Sequence, residues 1–163
     1  MEHLWAPWRL EFIKGPRPGG CFFCDAAKAA PKDEADHLVL ARTTTAIAIL
    51  NRYPYNNGHL MVAPIAHIAS LELLPPGAAA DIMALTQRAM RVLQSVLTPE
   101  GFNVGINQGK FAGAGVADHV HQHVVPRWGG DTNFMPVIAE TKVLNESLAK
   151  SYAELRAGFD RIA

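Results

Sequence analysis

The sequence predicts an α+β fold, and three observations predict it. Five short runs rich in β-branched and apolar residues are separated by polar or glycine-containing segments, as in a mostly antiparallel sheet. One central stretch carries apolar residues at helical spacing, and a second such stripe lies near the C-terminus. The 163 residues suit a single domain, 1–163, with a real core: 49% of them are hydrophobic and 18% charged, a globular rather than a disordered balance.

Leu4-Trp5-Ala6-Pro7-Trp8-Arg9 holds two of the three tryptophans and shows no period. Residues 1–20 therefore read as an extended arm that packs its aromatics on the body or reaches a neighbouring subunit. Its last part, Gly15-Pro16-Arg17-Pro18-Gly19-Gly20, is a breaker cluster that delivers the chain into Cys21-Phe22-Phe23-Cys24. The phenylalanines are expected under the core with the cysteines facing each other, and a charged, alanine-rich connector follows.

His37–Ala41 and Thr45–Leu50 read as a β-hairpin around Arg42-Thr43-Thr44. Asn51 to Gly58 is a loop by composition, and His59–Ala63 is the next strand before Pro64 stops it. Pro75-Pro76-Gly77 announces a helix whose face is Ile82, Leu85, Ala89, Leu93 and Val96, ended by Thr98-Pro99-Glu100-Gly101. Phe102–Asn107 is a fourth strand and Asp118–Trp128 a fifth. Residues 141–163 form a helical tail with a stripe of Leu144, Leu148, Ser151, Leu155 and Phe159, weakened at Ser151.

Charge and cysteine content narrow the function. Lys plus Arg equals Asp plus Glu at 15 each, so no global positive field attracts nucleic acid polymers or anionic membrane. Glu2, Pro7, Arg9, Glu11 and Lys14 interrupt the apolar residues that a signal peptide would need. No window reaches the length of a membrane span. Two cysteines three positions apart are too few for a disulfide framework, which points to the cytoplasm and to a metal or redox pair.

The fifth strand carries the strongest chemical signal. In Asp118-His119-Val120-His121-Gln122-His123-Val124, a period of two places three imidazoles on one face. Neutral imidazole is both a metal ligand and a nucleophile near neutral pH. The preceding segment from Gln108 to Ala117 contains Gly109, Gly113 and Gly115, whose backbone N–H groups can approach an anion closely. It is not a Walker loop: three residues rather than four separate Gly105 from Gly109, and Phe111 stands where a Ser or Thr would hold Mg²⁺.

His119-Val120-His121-Gln122-His123-Val124-Val125 resembles the His-φ-His-φ-His-φ-φ signature of the histidine triad (HIT) nucleotide hydrolases and transferases, with Gln122 at a usually apolar position. Together with the Leu-Trp-Ala-Pro-Trp-Arg arm and the Pro126-Arg127-Trp128-Gly129-Gly130-Asp131 continuation, it is similar to the branch of bacterial ATP adenylyltransferases that phosphorolyse diadenosine tetraphosphate. The similarity runs from about Leu4 to Phe134.

That resemblance implies roles. His121 would attack the α-phosphorus to form a nucleotidyl-imidazole, and His123 would contact the phosphate and assist the leaving group. Asn51 matches the residue that binds the ribose hydroxyls, although by itself it is as readily a turn-capping asparagine. Asn107, Gly113, Ala114, Gly115, Gln122 and Trp128 complete the implied nucleotide site, with backbone N–H groups at 113–115 stabilising phosphoryl charge. Related enzymes tend to carry a serine where Gly115 stands, so that hydroxyl is missing and Lys110, backbone or water must replace it. By itself Trp128 reads as core.

Cys21 and Cys24 match two ligands of a structural Cys₂His₂ zinc site found in some relatives, completed by His67 and His119. The residues alone also allow a redox CxxC or two reduced, buried cysteines. His3, His37 and His59 have no evident partners and read as surface or packing residues. The implied reaction uses an adenosine nucleotide or dinucleoside polyphosphate with inorganic phosphate as acceptor. Alternatives are a hydrolase releasing AMP, from dinucleoside polyphosphates or adenosine phosphoramidates, and a zinc-stabilised nucleotide-binding protein with little turnover. The resemblance also implies a homo-oligomer, usually a dimer.

Overall fold

The computed structural model describes residues 20–132, 144 and 146–163. Most of the aromatic arm, together with His3 and the segment around Phe134, lies outside the described residues.

Among the described residues the α-helices and strands are α1 (Phe22–Lys28), β1 (Val39–Arg42), β2 (Ala46–Leu50), β3 (Leu60–Pro64), α2 (Pro76–Leu97), β4 (Gly101–Ile106), β5 (Gln122–Arg127) and α3 (Leu148–Arg161). The five strands form one sheet in the order β1-β2-β3-β5-β4, with every neighbouring pair antiparallel. This is the α+β architecture expected from the sequence. Among the described residues no helix is long and apolar enough to cross a membrane.

Every residue of β2 and β3 is buried, because both faces of the sheet are covered. On one face Leu40, Ala48, Leu50, Leu60, Val62 and Val124 pack against Leu85, Ala89 and Leu93 of α2 and Leu155 and Phe159 of α3. On the other, Val39, Ile47, Ile49, Met61 and Ala63 pack against Phe23 and Ala26 of α1. The helical stripe of α2 is buried where its spacing predicts, at Ile82, Leu85, Ala89 and Leu93. In α3, Ser151 is buried without breaking the stripe because its hydroxyl donates to Glu146 Oε2 at 2.5 Å. Leu144 lies before that helix, which starts at Leu148 with Ser147 accepting from the Lys150 N–H.

Three expectations are corrected. The cysteine motif is not followed by a plain connector: it opens α1, with Cys21 at the N-cap. This seven-residue helix is too short to show an apolar period, and it depends on tertiary partners. Chief among them is Arg42, whose guanidinium donates to the carbonyls of Ala27 at 2.6 Å, Ala26 at 2.7 Å and Ala29 at 3.1 Å at the α1 C-terminus, where Ala26 also accepts the Ala29 N–H at 3.3 Å. Secondly, only Phe23 enters the core, whereas Phe22 is 39% exposed.

The third correction concerns the histidine strand, which begins at Gln122 rather than at Asp118. Its pairing with β3 stops at Val62 opposite Gln122, although β3 itself runs on to Pro64 against β2. Upstream of that point the chain leaves the ladder, and the Val120 N–H donates to the Ile68 carbonyl at 2.7 Å. The alternation nevertheless persists: Val120 and Val124 join the core under α2, while His119 and His121 flank Phe23 on the other face.

Phe159→Ala should destabilise the fold by about 3–5 kcal/mol in urea unfolding, the usual range for emptying a buried phenylalanine site. A loss below about 1 kcal/mol would mean that α3 is not part of the cooperative core.

Candidate functional site

Backbone carbonyls and amides set the protonation pattern of the histidines. The His119 Nε2–H donates to the Pro64 carbonyl at 2.8 Å, which leaves the Nδ1 lone pair facing the cysteines. The His121 Nδ1–H donates to the His119 carbonyl at 2.8 Å, which leaves the lone pair on Nε2. Burial pushes both imidazoles below the ordinary histidine pKa, and the carbonyl bonds oppose that only in part. Both rings are therefore neutral near pH 7, the form in which an imidazole can bind a metal or act as a nucleophile.

His123 is set by His59, for which the sequence predicts only a surface or packing role. His59 is fully buried, and its Nδ1 accepts the Tyr55 N–H at 3.0 Å. Its proton therefore sits on Nε2, which lies 3.0 Å from His123 Nδ1 and donates to it. Neutral His123 then carries its own proton on Nε2, the opposite arrangement from His121. The two rings meet edge to face at 5.0 Å. His59 precedes Leu60, which pairs with Val124 in the β3–β5 ladder, so the register brings it beside His123. The available signal was parity: His59 stands two residues before Met61, which pairs directly with His123.

His121 and His123 line a cavity of ≈ 330 Å³, with Asn51, Gly113 and Gly115 from the expected set. Phe22, Asp25, Asp36, His37, Leu38, Arg52 and Tyr53 also contribute to the wall. The Asn51 side chain has several roles, and its Nδ2 lies 3.4 Å from both ring nitrogens of His59. Its Oδ1 accepts the Tyr53 N–H at 2.9 Å, the turn-capping bond, while the residue borders the cavity. Asn107, Ala114, Gln122 and Trp128 are not in the cavity wall. Gln122 is buried, and alternation puts it on the face opposite His121 and His123, so its position gives direct nucleotide contact no support. Trp128 is half-buried and donates its backbone N–H to Asp131 at 3.3 Å.

Beside the cavity, Cys21, Cys24, His67 and His119 form a cluster whose ligand atoms all lie within 4.8 Å of one another. Cys21 Sγ is 3.2 Å from His119 Nδ1, and Cys24 Sγ is 3.2 Å from His67 Nδ1 and 3.7 Å from His119 Nδ1. A tetrahedral zinc ion with its usual bond lengths separates sulfur from nitrogen by about 3.5 Å, so the four residues fit that metal. Burial and then the adjoining Cys21 push the Cys24 thiol up, so two thiolates here call for a positive charge at the centre. Phe23 stacks obliquely on His119 at 5.0 Å and on His121 at 4.9 Å, joining this corner to the cavity.

Residues 32–130 match the HIT domain family. The AP-4-A phosphorylase of Mycobacterium tuberculosis (strain ATCC 25618 / H37Rv) is 42% identical over 154 residues, covering 91% of this chain and 79% of that protein. The adenosine 5'-monophosphoramidase hnt1 of Schizosaccharomyces pombe is 33% identical over 107 residues, covering 66% of this chain and 74% of that protein. Among solved structures, a Zn-bound histidine triad family protein from Mycobacterium smegmatis superposes with a TM-score of 0.68 at 29% identity, covering 87% of this chain and 94% of that one.

The cluster is expected to hold a single divalent ion per chain, and Cys21→Ser to lose it. Elemental analysis of the two purified proteins checks this, and a parent without stoichiometric metal would remove the site.

Proposed function

The chain belongs to the HIT domain family, and from that premise we propose that it is a nucleotidyltransferase that phosphorolyses diadenosine tetraphosphate to ADP and ATP. The reading is carried by the opposed protonation of two neighbouring imidazoles lining one cavity: a lone pair on His121 Nε2 and a proton on His123 Nε2.

In the first step His121 Nε2 attacks one α-phosphorus, forming a P–N bond as the bridging P–O bond breaks and ATP departs. The His123 Nε2–H faces the phosphate and stabilises or protonates the leaving oxygen. In the second step an oxygen of inorganic phosphate attacks the adenylyl group, the P–N bond breaks, and ADP leaves with His121 restored. Asn51 binds the ribose hydroxyls. Backbone N–H groups at Gly113 and Gly115 meet the phosphoryl oxygens, the latter without the hydroxyl that a serine would add.

Zinc is the metal we assign to Cys21, Cys24, His67 and His119. It would be closed by four protein ligands and therefore structural, supplying a fixed position for α1 rather than chemistry. Thiolates held as ligands suit a reducing cytoplasm. We also assign residues 1–163 to one domain, its arm at 1–20 and its tail at 141–163. Self-association through the edge strand β4 completes the proposal: Val104 is 44% exposed there, and Phe111 just beyond it is fully exposed.

The phosphorylase relative at 42% identity supports phosphate as acceptor. The phosphoramidase at 33% favours a second reading, in which water takes the same intermediate and AMP is released. Incubation with diadenosine tetraphosphate separates the two: ADP and ATP in equal amounts, only with phosphate present, are expected. AMP instead would establish the hydrolase, and binding without products would defeat both. His121→Ala should lower turnover by at least about a thousandfold; parental rates in that variant would mean another nucleophile.

A further inference from the structure

The Arg127-Trp128-Gly129-Gly130-Asp131 segment takes no part in lining the cavity, yet its polar groups converge on one side chain. Asn56 is buried, and its amide donates to the Pro126 carbonyl at 3.1 Å and to Asp131 Oδ2 at 2.8 Å. Asp131 is itself held by Arg127 Nε at 2.5 Å, Arg127 Nη2 at 3.0 Å and the Trp128 N–H at 3.3 Å. Pro126 lies on the strand that carries His123, three residues further on. Asn56 therefore bolts the turn before β3 to the end of β5.

That turn presents the group on which the protonation of His123 rests. The Asn56 carbonyl accepts the His59 N–H at 3.1 Å, and the adjoining Tyr55 N–H donates to His59 Nδ1 at 3.0 Å. The Tyr55 ring stacks flat on His59 at 4.8 Å with 12° between planes. Gly58 closes the turn at φ +74°, and a Cβ there would meet Leu97 Cδ1 at 2.5 Å, so the turn is pressed against α2.

The His59–His123 hydrogen bond can be made in two ways. With the Tyr55 N–H on His59 Nδ1, His59 donates from Nε2 and His123 keeps its proton on Nε2. The Asn51 Nδ2 lies 3.4 Å from both His59 ring nitrogens and so favours neither, whereas the Tyr55 N–H is on Nδ1 alone. Without the Tyr55 N–H, His59 can hold its proton on Nδ1 and accept at Nε2, whereupon His123 donates from Nδ1 and presents an unprotonated Nε2 to the cavity. We propose that Asn56, clamped by Asp131, is a positioning residue that holds the Tyr55 N–H on His59 and so keeps a proton on the cavity-facing nitrogen of His123. Its importance for turnover rests on the reading that His123 serves the leaving group.

Asn56 does not line the cavity, so its removal should spare nucleotide binding. In protein labelled with ¹⁵N-histidine, long-range ¹H–¹⁵N spectra should show His123 protonated at Nε2 in the parent and mixed or reversed in Asn56→Ala. With diadenosine tetraphosphate, kcat should fall by about 10- to 100-fold, as for other outer-shell hydrogen bonds, with KM little changed. Asp131→Asn, which keeps an acceptor oxygen for the Asn56 amide, should retain the parental spectrum, whereas Asp131→Ala should not. Parental His123 signals in Asn56→Ala, or a change confined to KM, would overturn the proposal. If Asn56→Ala does not fold, the two Asp131 variants make the same comparison. The spectra need no substrate, so they stand apart from the outcome of the phosphorolysis assay.

Discussion

The hydrogen bond from His121 Nδ1 to the His119 carbonyl joins the cavity to the thiol cluster. One residue offers its ring to the thiol cluster and its backbone oxygen to the neighbouring imidazole. A neutral histidine has one proton for two nitrogens, so fixing it on Nδ1 fixes the lone pair on Nε2. Anything that holds His119 in place therefore also aims His121. The Pro64 carbonyl does so from the end of β3, and the cysteines do so from α1.

The short helix α1 gains meaning in that light. It has no side-chain N-cap and too few residues for stability alone. Arg42 satisfies its last carbonyls, Phe23 fills the space beneath His119 and His121, and the cysteines face His67 and His119. Phe22 and Asp25, on the same helix, border the cavity. The thiol corner thus ties α1 to the histidine segment, and its four donor side chains fit a closed shell.

The sheet supplies rigidity from the other side. Because β2 and β3 are covered on both faces, the ladder that sets His59 beside His123 lies in the most buried part of the molecule. The four histidines differ in role through their partners rather than their exposure: two carbonyls, one amide and one imidazole determine which nitrogen carries each proton. Preorganisation of this kind places donors and lone pairs before any ligand arrives.

Much of this was legible in the chain. The period of two through His119, His121 and His123, the helical spacing from Ile82 to Leu93 and the breaker residues determined the α+β fold and the face on which the imidazoles meet. The spacing of Cys21 and Cys24 likewise marked a paired thiol site, because local periodicity depends only on backbone geometry. What only the tertiary structure decided were contacts between residues distant in sequence. Seven residues of α1 carry no readable period, His59 needed the β3–β5 register to find His123, and Gln122 needed the two covered faces to be placed away from the cavity. The protonation of each imidazole is likewise a tertiary property, since it follows from carbonyl and amide partners that no local pattern encodes: Pro64 stands 55 residues from His119.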